Sequence, residues 1–191
     1  MLRGDRVVLR PIQTSDHERL YELVETIEVR ALSSNDPPLP VSLEEFRAKY
    51  TATEEGTESA GAWFAIEVDG ELVGECGLHS IEHYQQRAEV GISLGKEHCG
   101  RGYGQDAVRT LLGYGFRTLN LEKISLHVIA DDERAVGAYR KAGFAEEGRL
   151  RSHLWYDGNR HDELVMSVLR DDWKGEASAS SEPREGSVST S

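Results

Sequence analysis

The stretch KEHCGRGYGQDA, residues 96–107, sets Gly100, Gly102 and Gly104 at alternate positions just ahead of a helical repeat. Glycine reaches backbone conformations closed to other residues and lets other groups approach the main chain. A helix start behind it offers unpaired N–H groups and the positive end of the helix dipole. Together they make a seat for a phosphate. Such a loop needs a strand before it and a helix after it. Residues 88–95 (AEVGISLG) alternate as a strand, and the pairs Ala107/Val108, Leu111/Leu112 and Gly115/Phe116 recur every four residues, predicting a helix with one buried stripe.

The flanking patterns extend this to a whole domain. Residues 5–12 (DRVVLRPI) read as an entry strand, and Thr14-Ser15-Asp16 supplies the cap of a helix carrying Leu20, Leu23, Val24 and Ile27. Residues 33–40 form a loop, Ser42 caps a second helix to about Tyr50, and 51–61 is again loop. Residues 63–69 and 71–78 predict a hairpin turning at Asp69-Gly70. After the glycine loop and its helix, which Asn120 can end, come a strand at 123–130 and a short helix capped by Asp131 or Asp132 and ended by Gly143. Two last strands, Phe144 to Trp155 and Glu163 to Leu169, turn at Asp157-Gly158. The order is strand, two helices, three strands, helix, strand, helix, two strands. It predicts an α/β chain with a mixed sheet and helices packed against it. Residues 1–173 make this domain, and 174–191, with six Ser and little apolar matter, read as a disordered tail.

Several phosphate binders share the physics of the loop. Gly102-x-Gly104-x-x-Ala107, with Glu122 downstream, matches a dinucleotide fingerprint. That motif follows its strand at once and opens βαβ units, whereas here a polar segment intervenes and antiparallel hairpins come first. A P-loop needs Gly-Lys-Ser/Thr, and the sequence has no such triplet. A glycine turn without a ligand is the plain reading. The pyrophosphate seat of an acetyl-coenzyme A (acetyl-CoA) transferase is the one supported by a second constellation downstream.

That constellation is residues 128–144, VIADDERAVGAYRKAGF. It resembles the second signature of the GNAT acetyltransferases: an Asx residue, Arg-Ala, a Tyr, and Gly-Phe ending the helix. Cys99-Gly100-Arg101-Gly102-Tyr103-Gly104 resembles their first, Q/R-x-x-G-x-G/A. The opening LRGDRVVLRPIQTSDHERLYEL and the closing LRSHLWYDGNRHDELVMSVLRDDW resemble the subgroup that acetylates N-terminal amines of ribosomal proteins. Two departures stand out. Cys99 replaces the usual Gln or Arg, and Asp132 replaces the common Asn while still able to cap its helix. The resemblance implies the acyl-CoA N-acyltransferase fold, with six to seven strands and about four helices. It also implies acetyl-CoA as co-substrate, held by Cys99, Gly100, Arg101, Gly102, Tyr103, Gly104, Gln105, Asp132 and Tyr139 and by main-chain groups of Ile92 and Leu94 on a splayed strand. No metal is implied, and a homodimer is plausible for the family.

Acetyl transfer to an amine needs a base for the ammonium, a donor for the thioester oxygen and a proton for the leaving thiolate. Tyr139 is the expected acid. His127, on the strand before the second signature, and Glu89, on a polar face with Gly91, Ser93 and Gly95, are the candidate bases. An acetyl-cysteine at Cys99 would sit at the pyrophosphate rather than the thioester. His79-x-x-x-His83 has metal-like spacing without a third ligand. Trp155, Tyr156 and Asp157 lie near the acceptor side in the resembling family.

Net charge is −12, which disfavours nucleic acid and suits cationic acceptors: a protein N-terminus, a polyamine or an aminoglycoside-like amine. No apolar run approaches the ~20 residues of a membrane span, and the start of the chain lacks the apolar core of a secretory leader. Two distant cysteines fit a reducing cytoplasm. A non-catalytic acyl-CoA sensor with the same seat is the alternative from another class.

Overall fold

The computed structural model describes residues 1–27, 29–30, 38–54 and 61–175. Parts of the expected loops 33–40 and 51–61, and all but the first two residues of the expected tail 174–191, lie outside these. Eight strands form one sheet in the order β1-β2-β3-β4-β5-β6-β8-β7. They are β1 Leu2–Arg3, β2 Val8–Arg10, β3 Ala62–Val68, β4 Glu71–Glu82, β5 Arg87–Leu94, β6 Lys123–Ile129, β7 Ala145–Tyr156 and β8 Asn159–Leu169. Every pair is antiparallel except β5 with β6. The helices are α1 His17–Val24, α2 Leu43–Glu54, α3 Tyr103–Arg117 and α4 Glu133–Ala142.

The sheet has eight strands rather than six or seven because the expected entry strand is broken. The Asp106 carboxylate of α3 accepts the amides of Asp5, Arg6 and Val7 at 3.2, 2.7 and 3.0 Å. Those amides are lost to a straight ladder. The chain turns there, Leu2 pairs with Leu9, and a two-residue strand is added at the edge. Pro11 then ends β2, since it has no amide to donate. Two helices also exceed their expected bounds. α2 runs to Glu54, through residues read as loop. α3 starts at Tyr103 rather than Ala107, because Gly102 (φ 84°) turns the chain into it and Asp106 N donates to Gly102 O at 3.1 Å. Both expected hairpin turns form: Asp69/Gly70 (φ 51° and 83°) and Asp157/Gly158 (47° and 73°) have the left-handed pairs of tight two-residue turns.

Helices cover both faces. α3 and α4 pack on one through Leu111, Leu112, Phe116 and Val136, against Cys76, Leu78, Ile124, Leu126 and Met166. Burying a side chain such as Leu112 fully contributes roughly 1.5–3 kcal/mol. α1 and α2 cover part of the other face through Leu20, Leu23, Val24 and Phe46, against Ala65 and Leu72. The rest of that second face, over β4, β5, β6 and β8, carries polar side chains. Trp173 packs against Phe116 with ring centroids 5.3 Å apart.

Candidate active site

The site begins where two strands stop pairing. β5 and β6 run side by side only from Arg87↔Lys123 to Glu89↔Ser125. Beyond that pair they part, β5 continuing to Leu94 against β4 and β6 to Ile129 against β8. Gly95 N donates to Val73 O of β4, so by alternation the amides of Ile92 and Leu94 turn away from β4 into the gap. A main chain with open donors and acceptors takes an extended amide-bearing ligand as an extra strand.

α3 points its N-terminus at the mouth of the gap. Gly100 (φ 75°) and Gly102 (φ 84°) hold left-handed backbone that disfavours a side chain. Gly104 serves closeness instead: a Cβ there would lie 3.2 Å from Leu94 Cδ1, so the helix start rests on β5. The helix's first amides, from Tyr103, Gly104 and Gln105, have no partner within it. Arg6 braces the loop from behind. Its guanidinium donates to the Arg101 carbonyl and lies over the Tyr103 ring at 5.1 Å.

α4 forms the opposite wall. Asp132 accepts the Ala135 amide at 2.9 Å and caps it. At the other end Gly143 is left-handed (φ 108°), and Phe144 N donates to Tyr139 O at 3.0 Å in a Schellman closure. Arg134 reaches back to the Cys99 thiol, and this contact is the main cause of its raised pKa. Burial pushes the Tyr139 phenol up to about 12, with Asp132 adding to the push and Arg134 opposing it.

These elements enclose a cavity of about 950 Å³. Of the expected residues, Ile92, Leu94, Cys99, Gly100, Gly102, Gly104, Gln105, His127, Asp132 and Tyr139 line it together. Arg101 and Tyr103 do not line it; Tyr103 packs against the core. Glu89 does not line it. That residue is half-buried at the vertex of the gap, opposite His79. The small polar face expected along β5 is partly filled, because Trp63 lies across Gly77 and Gly91 and stacks on His79 at 6.0 Å. Burial holds His79 below its ordinary pKa, against the pull of Glu89. His83 stands in the exposed turn after β4. Trp155 is 64% exposed, with Arg160 over its ring, whereas Tyr156 reaches the cavity.

Sequence reasoning missed five groups. Arg134, Lys96 and Lys141 line the cavity and suit an anionic ligand; Arg134 stood within a quoted motif without a role. Two buried carboxylates lie on the polar sheet face. Glu75, 6% exposed, accepts from the Tyr50 hydroxyl, and Glu163 is 2% exposed beside His127. Nothing local marks them, since both read as ordinary strand alternation. The residues fit coenzyme A: free amides and cations where the pyrophosphate would sit, and an unpaired strand edge for the pantetheine amides.

The comparisons agree with this arrangement. Residues 6–145 match the acetyltransferase (GNAT) domain model. The chain is 30% identical to the putative ribosomal N-acetyltransferase YdaF of Bacillus subtilis, over 91% of this chain and 96% of that protein. It is 29% identical to the spermidine N(1)-acetyltransferase of Escherichia coli K12, over 89% of each. The structure of Vibrio cholerae spermidine N-acetyltransferase in complex with CoA and spermine superposes with a TM-score of 0.80 at 27% identity, over 88% of this chain and 98% of that one. These relatives are acetyltransferases, which leaves the sensor reading without support. A strand gap beside a helix start, met by a family match over most of the chain, makes this protein a member of the GNAT family and an acetyl-CoA-dependent N-acetyltransferase.

Proposed function

We propose that the acceptor is a small polycation with a primary amine, acetylated by direct attack in a ternary complex. The observation that carries this reading is the single cavity joining the phosphate seat to His127 and Tyr139. Bound acetyl-CoA supplies the activated acetyl group. Amides of α3 and the cations Arg134, Lys96 and Lys141 hold its pyrophosphate, and the amides of Ile92 and Leu94 steer the arm and polarise the thioester oxygen. His127 takes the proton of the acceptor ammonium. Tyr139 gives its phenolic proton to the sulfur as the C–S bond breaks and the C–N bond forms, and the second proton of the acylated nitrogen restores the phenol. Glu89 stands outside this path and adds negative charge at the vertex. Cys99, held among the phosphate contacts, takes no acetyl group.

The polycation is supported by the carboxylates of Glu75, Glu89 and Glu163 on the acceptor-side sheet face, and by Glu22 and Glu97 in the cavity wall. The spermidine acetyltransferase relatives point the same way, while YdaF favours a protein N-terminus as the second reading. A screen of spermidine, spermine, an aminoglycoside, a monoamine and ribosomal N-terminal peptides, read by mass spectrometry, separates them. Acetylated polyamine supports the proposal, and turnover confined to peptides overturns it. His127→Ala should lower kcat about 10²-fold, with Glu89→Gln close to wild type. The reverse pattern would exchange the two bases. Two free cysteines suit a cytoplasmic setting. A homodimer fits the open edge of β7, where Leu150 and Trp155 are exposed, and light scattering tests it.

A further inference from the structure

Glu163 is the most deeply buried carboxylate among the described residues, and no Lys or Arg there pairs with it. It stands opposite Ile129 in the β6–β8 ladder. Period two puts it on the same face as His127, one diagonal step away and within reach of a long side chain. His127 Nδ1 lies 3.1 Å from Glu163 Oε2. His153 Nε2 lies 3.7 Å from the same oxygen, in the stretch where β7 shifts register between Leu150 and Leu154 and Ser152 takes φ 52°. Bulges of this kind re-aim side chains beside active sites. Oε2 is sealed from solvent and takes no well-aligned hydrogen bond. A buried carboxylate oxygen without a donor is costly, so it draws the nearest N–H. That donor is Nδ1 of an imidazole whose side chain is 40% exposed and lines the cavity.

We propose that Glu163 is a positioning residue for the acetyl transfer. It fixes neutral His127 with its proton on Nδ1, so that the Nε2 lone pair is the one available to the acceptor ammonium. The inference rests on His127 as the base. When Nε2 takes the proton, the resulting imidazolium sits beside the Glu163 carboxylate, and its Nε2 proton returns to solvent from the exposed ring. His153, with Nε2 3.7 Å from the same oxygen, stands beside the carboxylate but beyond hydrogen-bond distance. A carboxylate acting through an imidazole in this way sets the tautomer without itself being protonated.

The test is long-range ¹H–¹⁵N NMR on the wild-type protein, with His127 and His153 assigned from His127→Ala and His153→Ala. The expected result is the Nδ1–H tautomer for neutral His127. An Nε2–H tautomer overturns the proposal whatever the activity. Glu163→Gln should convert His127 to the Nε2–H form and lower kcat about 10–10³-fold, with the KM for acetyl-CoA unchanged and Glu163→Asp in between. In a His127→Ala background, Glu163→Gln should cost nothing further. A full multiplicative loss there marks a merely structural residue and overturns the proposal. If Glu163→Gln does not fold, the wild-type tautomer and the same cycle run with Glu163→Asp still decide. If His127→Ala keeps full turnover, the base reading falls and the catalytic purpose of Glu163 falls with it. That outcome is distinct from a wrong tautomer.

Discussion

Tyr139 must hold a proton to give one away. A phenol pushed up to about 12 stays protonated throughout the working range, but a free thiol titrates near ~8.5, so transfer to a thiolate already formed runs uphill and the proton must move as the C–S bond breaks, with the phenol restored by the proton of the acylated nitrogen. Tyr139→Phe removes the proton and keeps the ring, which packs edge-on to Phe144 at 5.9 Å. We expect kcat to fall about 10²-fold, with unchanged stability and KM for acetyl-CoA. Wild-type kcat should show no loss assignable to this phenol up to about pH 10, because the raised pKa places its deprotonation above that. An unchanged kcat in the variant removes Tyr139 as the acid. At this scale the sequence was informative where a function is bound to a local motif: Tyr139, Asp132 and the glycines are named by their neighbours. Glu75 and Glu163 were illegible because their burial depends on which strands lie beside them. Arg6 was illegible because it meets the loop about a hundred residues away.

At the scale of elements, the loop and its helix make the sharper test. Gly102 is left-handed and a Cβ there would lie 3.0 Å from an Arg6 guanidinium nitrogen, whereas Gly100 is left-handed in open space. Gly100→Ala should therefore cost only the conformational strain, about 1–2 kcal/mol. Gly102→Ala should cost that, displace the brace on Arg101 and raise the KM for acetyl-CoA several-fold more than Gly100→Ala does. Equal effects on KM would separate the brace from the phosphate seat. The junction of β2 and α1 is held differently. Burial alone would raise the Asp16 carboxyl, but paired hydrogen bonds from Arg10 at 2.7 and 3.0 Å and the Gln13 amide outweigh it and hold the pKa below the usual range. A lowered folded pKa means stability that is complete above the unfolded value of ~3.9 and is lost as pH falls through the folded one. Asp16→Asn should destabilise by roughly 2 kcal/mol at neutral pH, and the gap in Tm to wild type should close below about pH 4. A constant gap would show packing, not charge, at work. Helix bounds were legible to a few residues where caps or turns are local. The start of α3 was misjudged because its first turn, Tyr103 to Asp106, carries its glycine and its polar groups for tertiary reasons and dilutes the apolar stripe.

For the whole molecule, strand and helix order was enough to read the fold class, since period and turn chemistry are local properties. The extra edge strand was not, because a carboxylate on α3 creates it by collecting amides from the start of the chain. Charge is legible from composition alone, and it carries the last prediction. Of the net −12, residues 174–191 account for −1 (Lys174 and Arg184 against Glu176, Glu182 and Glu185), leaving −11 on residues 1–173. A field of that sign attracts a polycation and repels acetyl-CoA, whose phosphates find cations only locally, at Arg134, Lys96 and Lys141. Salt screens the long-range field more than the contacts inside the cavity. Raising ionic strength from about 0.01 to 0.3 M should thus lower kcat/KM for spermine about tenfold, for spermidine less, and for a monoamine by less than about threefold. The value for acetyl-CoA should hold or rise. The ordering by acceptor charge is the discriminating result: it requires the acidic body to act on the acceptor as a whole, whereas a uniform loss across all amines would place the salt effect on the protein's own stability or on the coenzyme.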